Sequence, residues 1–284
     1  MKKIIALVDG SVYAHSVCDH AAWVAQKTGA EVELLHVIGR RETGSAKANL
    51  SGNITLGART ALLNELSELD AQRAQLSQKI GRAILDDATS HIEGKGVERV
   101  TARLRIGDLV ETVAEQEAEA DLVMIGKRGE AADFAKLHLG SNLERIARSS
   151  TKPIFVAARA FRPVQRFMIA YDGGTSAMKA VDHVARSPLF AGLECCLLMV
   201  GADTEENRKR LNDAKSTLEA GSFTVDARIV SGQPDAVIAK AIEAQEVDLL
   251  VMGAYGHSRI RSFIIGSTTS EMIRSCKVPV ILFR

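Results

Sequence analysis

The segment "IIALVDGS" at residues 4–11 returns, altered but recognisable, as "FMIAYDGG" at residues 167–174. Two more pairs follow in the same order. "ADLVMIGKRG" (120–129) corresponds to "VDLLVMGAYG" (247–256), and "LGSNLERIARSSTKPIFVA" (139–157) to "IGSTTSEMIRSCKVPVILF" (265–283). Ordered self-similarity of this kind means one structural unit written twice. The fold must therefore be one that about half of the 284 residues can build alone. The repeats set the expected units at 1–160 and 164–284, divided at "ARAFRPVQ", which carries neither a helical nor a strand period.

Within each copy, short apolar runs alternate with stretches of helical period. In the second copy strands are expected at Phe167–Tyr171, Leu193–Val200, Thr224–Val230, Leu249–Met252 and Val280–Phe283. Helices are expected near Thr175–Arg186, Glu205–Ala220, Pro234–Glu243 and Ser267–Ser275. Continuous apolar strands separated by helices indicate a parallel sheet covered on both faces. Right-handed crossovers then make each copy a doubly wound α/β domain. The apolar last strands, "PIFVA" (153–157) and "PVILF" (279–283), would supply edges that need a partner.

The copies differ in one place. Asp9 lies 98 residues before Gly107, whereas Asp172 lies 60 before Gly232, so the first copy holds an insertion of about 38 residues, at about 39–80. Residues 39–57 read as a mobile loop, rich in Gly, Ser, Asn and charge. Beyond them Leu62, Leu66, Leu69, Leu76 and Ile80 stand close to heptad spacing. That pattern suits either a crossover helix lying on its own sheet or one that packs on a partner or on the other domain.

Charge excludes one class of function. Lys and Arg number 36 against 35 Asp and Glu, so nothing suggests a nucleic-acid footprint. No apolar run reaches the length of a membrane span. The five-residue run after "MKK" is too short for a signal peptide, so a cytoplasmic protein is expected. The four cysteines form no CxxC, and Cys195 and Cys196 point to opposite sides of an expected strand, so all four read as buried thiols. His36, inside "VELLHVI", reads as a hydrogen-bonded core residue, and His15, His20 and His183 as helix residues that pack or face solvent.

Glycine spacing carries the functional reading. Gly253 ends a strand, Gly256 follows three residues later, and Gly266 stands immediately before Ser267 and Thr268 at the start of a helix. Ligands in open α/β sheets sit beyond the carboxyl ends of the strands. A glycine at that rim lets a ligand approach the backbone, and the first turn of a helix offers unpaired amides to an anion. Ser267 and Thr268 add hydroxyls, Thr268 with Glu271 has capping-box spacing, and His257, Arg259 and Arg261 could meet phosphate oxygens. Asp172, just past the first strand of the same copy, could accept hydrogen bonds from an adenine amino group or a ribose hydroxyl.

The spacing Gly253-x2-Gly256-x9-Gly266-Ser267-Thr268, with Asp172 at a strand end and the closing "VPVILF", resembles the nucleotide-binding signature of the universal stress protein family. The resemblance covers both halves, as in a tandem member. It implies five-stranded parallel α/β domains that pair through their last strands, with a further homodimer open, and ATP, with or without Mg2+, as the ligand. It also implies a regulatory role in the stress response. On that resemblance Asp172, Val200, Met252 and Gly253 would line the base and ribose. Gly256, Gly266, Ser267 and Thr268, with Arg259, would hold the phosphates, and Gly232 would shape the neighbouring wall. A second site would comprise Asp9, Val37, Gly126, Gly129, Gly140, Ser141 and Asn142. One extra residue separates Gly129 from Gly140, which displaces the backbone donors and weakens that site. The nucleotide is therefore expected chiefly in the second half.

Competing chemistry finds less support. No GxxxxGK[ST], GxGxxG or HExxH motif is present, and no metal cluster suggests itself. No carboxylate in the second-half loop is placed to activate water, which argues against a dedicated hydrolase and leaves slow ATP turnover open. An ATP-pyrophosphate-splitting ligase would need an SGGxDS-type loop where this chain has "DGS" or "DGG". The remaining alternative is an interaction scaffold of the same fold that binds no nucleotide.

Overall fold

The computed structural model describes residues 1–39, 56–127, 141–254 and 267–284. The two expected sheets merge into one of ten strands. These are β1 (Lys3–Leu7), β2 (Glu31–Gly39), β3 (Val100–Gly107), β4 (Leu122–Gly126), β5 (Ile154–Ala157), β6 (Arg166–Ala170), β7 (Glu194–Val200), β8 (Val225–Val230), β9 (Leu249–Gly253) and β10 (Val280–Phe283). The described helices are α1 (Ala14–Thr28), α2 (Leu56–Gly94), α3 (Leu109–Gln116), α4 (Ser141–Ser149), α5 (Thr175–Arg186), α6 (Glu205–Ala220), α7 (Pro234–Ala244) and α8 (Ser267–Ser275). In the second half every expected element is present, with bounds matching within one residue.

The strand order is β3-β2-β1-β4-β5-β10-β9-β6-β7-β8, the same five-strand order read outward from the centre in each direction. All neighbours are parallel except β5 and β10, which pair antiparallel with Phe155 opposite Ile281. The two apolar last strands thus satisfy one another, and the halves open their carboxyl rims at different ends of the sheet. One face is covered by α1, α2, α5 and α6, with Phe155, Phe167 and Phe190 fully buried there. The other is covered by α3, α4, α7 and α8, around Val123, Ile146, Met168 and Ile273. All four cysteines are buried.

The repeat extends to individual hydrogen bonds. Asp121, before β4, accepts from the backbone amides of Lys2 and Lys3 at the start of β1. Asp248, before β9, accepts from Gln165 and Arg166 at 2.9 and 3.1 Å at the start of β6. Each acid satisfies two strand-end amides that have no ladder partner.

Helix α2 answers the question left by the insertion, and the answer is divided. Its last turns lie on the sheet, with Leu85, Ala88 and Ile92 buried and with Asp19 of α1 holding His91 and Lys95 at 2.8 and 3.1 Å. Gly81 marks the crossing over β2 and β3, where a Cβ would stand 2.8 Å from Leu104 Cδ1 and 2.9 Å from His36 Cδ2. The turns before Gly81 leave most of their leucines exposed. The rest of the expected loop, residues 40–55, lies outside the described residues.

Two histidines are core groups. His36 donates from Nδ1 to the Val8 carbonyl at 2.8 Å. His20 is fully buried, donates from Nδ1 to the Ser16 carbonyl at 2.6 Å, and lies against Phe155 and Phe161 with ring centroids 5.2 and 5.1 Å away. Its Nε2 is buried with no partner. Burial lowers the pKa of His20 despite the Ser16 carbonyl and the charge of Asp19, and burial shifts His183 the same way. The sign follows from linkage. The unfolded imidazoles take up protons near pH 6.5 and the folded ones resist, so this stability is complete above about pH 6.5 and is lost on acidification. Denaturant midpoints should fall between pH 7.5 and 5.5, and His20→Phe should flatten that fall. Superimposable pH profiles for the two proteins would show that His20 contributes nothing.

Candidate functional site

The crevice between β6 and β9 is where the second half changes direction. After β6 the chain crosses to β7 through α5 on one face, and after β9 it reaches β10 by way of α8 on the other. The two helices leave on opposite sides and their amino ends flank the gap, the usual ligand position in an open sheet.

Register aligns the residues on this rim. Ala170 of β6 stands opposite Leu198 of β7 and Met252 of β9. Asp172 and Val200 each lie two residues further on, and Gly253 one. At about 4.8 Å per strand the row from Gly253 to Val200 spans ~10 Å, the scale of a nucleoside. Asp172 is exposed, and its Oδ1 accepts from the Gly174 amide at 2.9 Å. Gly173 takes a left-handed φ of 74°. Gly174 then opens α5 without a side-chain cap. Val200 is half-buried at the end of β7, and Met252 is 5% exposed.

Gly253 has a different reason for being glycine from the one its spacing suggests. Its φ is not positive, and a Cβ there would stand 3.0 Å from Ser176 Cβ and 3.2 Å from the Ala177 amide nitrogen. The missing side chain makes room for the first turn of α5. Thr269 holds the other flank. It is 3% exposed and donates from Oγ1 to the Gly253 carbonyl at 3.2 Å, so the first turn of α8 is tied to the end of β9. Sequence reasoning passed over Thr269, although it stands three and four residues before the buried Met272 and Ile273, on the inward face of α8. The capping box is not formed in the way the spacing suggests. Helix α8 already begins at Ser267, which places Thr268 inside the first turn, and Glu271 pairs with Arg274. Gly256, His257, Arg259, Arg261 and Gly266 lie outside the described residues.

Gly232 shapes the far wall through its backbone. Its φ is 143°, and a Cβ would come within 2.8 Å of Val237 Cγ2. The adjoining Ser231 hydroxyl donates to the Gly201 carbonyl at 3.3 Å, linking the ends of β8 and β7.

The first half repeats part of this rim between β1 and β4. Asp9 Oδ1 accepts from the Ser11 amide at 3.1 Å, the counterpart of the Asp172 turn. Val37 is half-buried at a position equivalent to Val200, Gly126 is buried at the end of β4, Ser141 opens α4, and Asn142 is exposed in its first turn. Gly129 and Gly140 lie outside the described residues. One difference is plain. Where the second half has Ala254, the first has Lys127, which is 8% exposed and gives its ammonium to the Cys276 carbonyl just beyond α8. In return Arg284 donates to the Arg148 and Ser150 carbonyls at the end of α4, at 2.8 and 3.5 Å. Each half thus places a cation on the carboxyl end of the other half's last helix, where the helix dipole favours positive charge.

Among the described residues no group of three or more His, Cys, Asp or Glu is arranged to hold a metal ion, and no helix is long and apolar enough to cross a membrane. A cleft of about 380 Å³ beside the start of β1, lined by Met1, Asp121, Lys179 and His183, mixes charges of both signs and belongs to neither rim.

Residues 1–158 and 197–284 match the model of the universal stress protein family. A universal stress protein of Synechocystis sp. is 35% identical over 287 residues, covering 100% of both chains. One of Mycobacterium tuberculosis is 25% identical over 308 residues, covering 99% of this chain and 94% of its own. The crystal structure of a universal stress protein from Archaeoglobus fulgidus superposes with a TM-score of 0.72 at 22% identity, over 99% of this chain and 98% of that one, which is a likeness of fold. The family match resumes at 197, beyond β6 and α5, so the position of Asp172 rests on the internal repeat with Asp9. With both halves matched and a relative that aligns from end to end, the chain belongs to the universal stress protein family as a tandem member.

Proposed function

We propose that this protein binds ATP in the crevice between β6 and β9, and that occupancy there regulates a response to stress. Residues 1–160 and 164–284 act as its two units, the second holding most of the nucleotide. The single observation that carries this reading is the convergence of two helix starts, α5 and α8, on the row that holds Asp172, Val200 and Gly253. Helix starts supply amides and a positive field to phosphates, while the carboxylate and the strand-end backbone suit an adenosine edge. Ser267, Thr268, Gly256, Gly266 and Arg259 complete the phosphate side on the strength of the family resemblance. Mg2+, when it accompanies the nucleotide, would bind phosphate oxygens and water in the way hard cations do. The first-half rim, with Asp9 and Val37, is the weaker site because one extra residue separates Gly129 from Gly140 and displaces the backbone donors.

One observation favours the scaffold reading instead. The space beside Gly253 is filled by the protein's own α5. Calorimetric titration separates the two. Wild type should bind ATP, and Gly256→Val should lose it while keeping the wild-type circular dichroism spectrum. Equal binding by both proteins removes this site assignment, and a wild type that does not bind leaves the scaffold.

A further inference from the structure

The amino-terminal part of α2 is built as a contact surface that its own sheet leaves uncovered. Leu62, Leu69, Leu76 and Ile80 are 40, 54, 58 and 50% exposed, and Leu63 beside them is 48% exposed. With the half-buried Leu66, the apolar positions 62, 66, 69, 76 and 80 alternate steps of four and three, the heptad seam of a coiled coil, and Arg73 occupies the one remaining seam position. At 100° per residue this seam lies roughly a quarter-turn or more round the helix from the line of Leu85, Ala88 and Ile92 that anchors α2 to the sheet. Gly81 crosses Leu104 three residues before β3 ends. Drawn straight, the helix clears the carboxyl rim of the sheet within about seven residues, and the turns before that point project beyond it. An apolar stripe of this kind on a soluble protein marks an interaction site.

We propose that two copies of this chain associate through antiparallel pairing of their α2 helices about a twofold axis near residue 71. Sequence pattern selects that arrangement. Antiparallel register places Leu62 against the partner's Ile80, Leu66 against the partner's Leu76, and Leu69 against the partner's Arg73, each contact made twice. On the flanks Glu65 meets the partner's Lys79, twice, which outweighs the single approach of Asp70 to the partner's Asp70 beside the axis, where both copies of Arg73 stand close by. Parallel, in-register pairing would instead stack Arg73 on the partner's Arg73 and set Glu65 beside the partner's Asp70, like charge against like. The overlap from 62 to 80 is about 28 Å long, just under three heptads, so the dimer dissociates on dilution. This interface does not depend on the nucleotide reading.

Sedimentation velocity on the full chain tests it. Wild type should shift from monomer to dimer as concentration rises. Leu69→Glu combined with Leu76→Glu should stay monomeric at every concentration with an unchanged melting curve, since both side chains are already exposed. Glu65→Lys or Lys79→Glu alone should weaken dimerisation by about tenfold, because each creates two like-charge pairs. The combined charge swap should restore wild-type association. A wild type that is monomeric at all concentrations, a dimer that survives the two leucine substitutions, or a Glu65→Lys protein that dimerises more tightly each overturns the proposal.

Discussion

Phe155→Ala is expected to destabilise the protein by about 3–5 kcal/mol, the cost of removing a fully buried aromatic ring. Phe155 is 0% exposed and sits in β5, facing Met124 on one side and Ile281 across the seam on the other. Its ring supports His20, whose unpaired Nε2 tolerates burial only in a dry, well-packed site. A cavity here would weaken both halves at the strand that joins them. Urea titration followed by circular dichroism reads the loss directly. A loss below about 1 kcal/mol would mean that the site collapses around the missing ring far more readily than a close-packed sheet permits.

Gly253→Val is expected to weaken the proposed nucleotide binding at the crevice itself. A single Cβ at this position would already be in tight contact with Ser176 and Ala177, and valine adds two methyl groups. Overpacking of this kind costs about 1–3 kcal/mol. Here the strain falls on the first turn of α5 and on the carbonyl that accepts from Thr269, so both flanks of the crevice move. Each 1.4 kcal/mol of that strain expressed in the bound state would lower affinity for the proposed ligand tenfold, so the expected drop is between about 5-fold and about 150-fold. Calorimetry beside a thermal melt keeps the two consequences apart. Undiminished ATP binding by a folded Gly253→Val protein would place the nucleotide away from the gap between β6 and β9.

The fold was legible because its signals are local. Strand runs such as Leu249–Met252 and helical periods such as Thr175–Arg186 can be read within a dozen residues, and the duplication made each reading twice. The pairing of β5 with β10 was legible for another reason, since the family resemblance implies domains joined through their last strands, and both of those strands are apolar. The candidate crevice was legible only in outline. Gly253 stood out, but its spacing could not say whether a ligand or α5 occupies the room beside it. Lys127 is 149 residues from the carbonyl it serves, and nothing in "GKRG" announces that contact. The insertion was ambiguous for a physical reason. Residues 62–80 and 81–92 are both apolar at helical spacing, and only the position of β2 and β3 beneath Gly81 decides which of them is covered.

The antiparallel junction of β5 with β10 also bears on how such a molecule can diversify. When two identical subunits meet edge to edge, every change is made in both, so an insertion beside one ligand position appears beside the other as well. Covalent fusion removes that obligation. One half of this protein carries a 39-residue helix and uses a rim lysine as a cross-brace, while the other has the glycine spacing shorter by one residue. Joining the halves through a shared ladder therefore lets a single polypeptide change one half without repeating the change in the other.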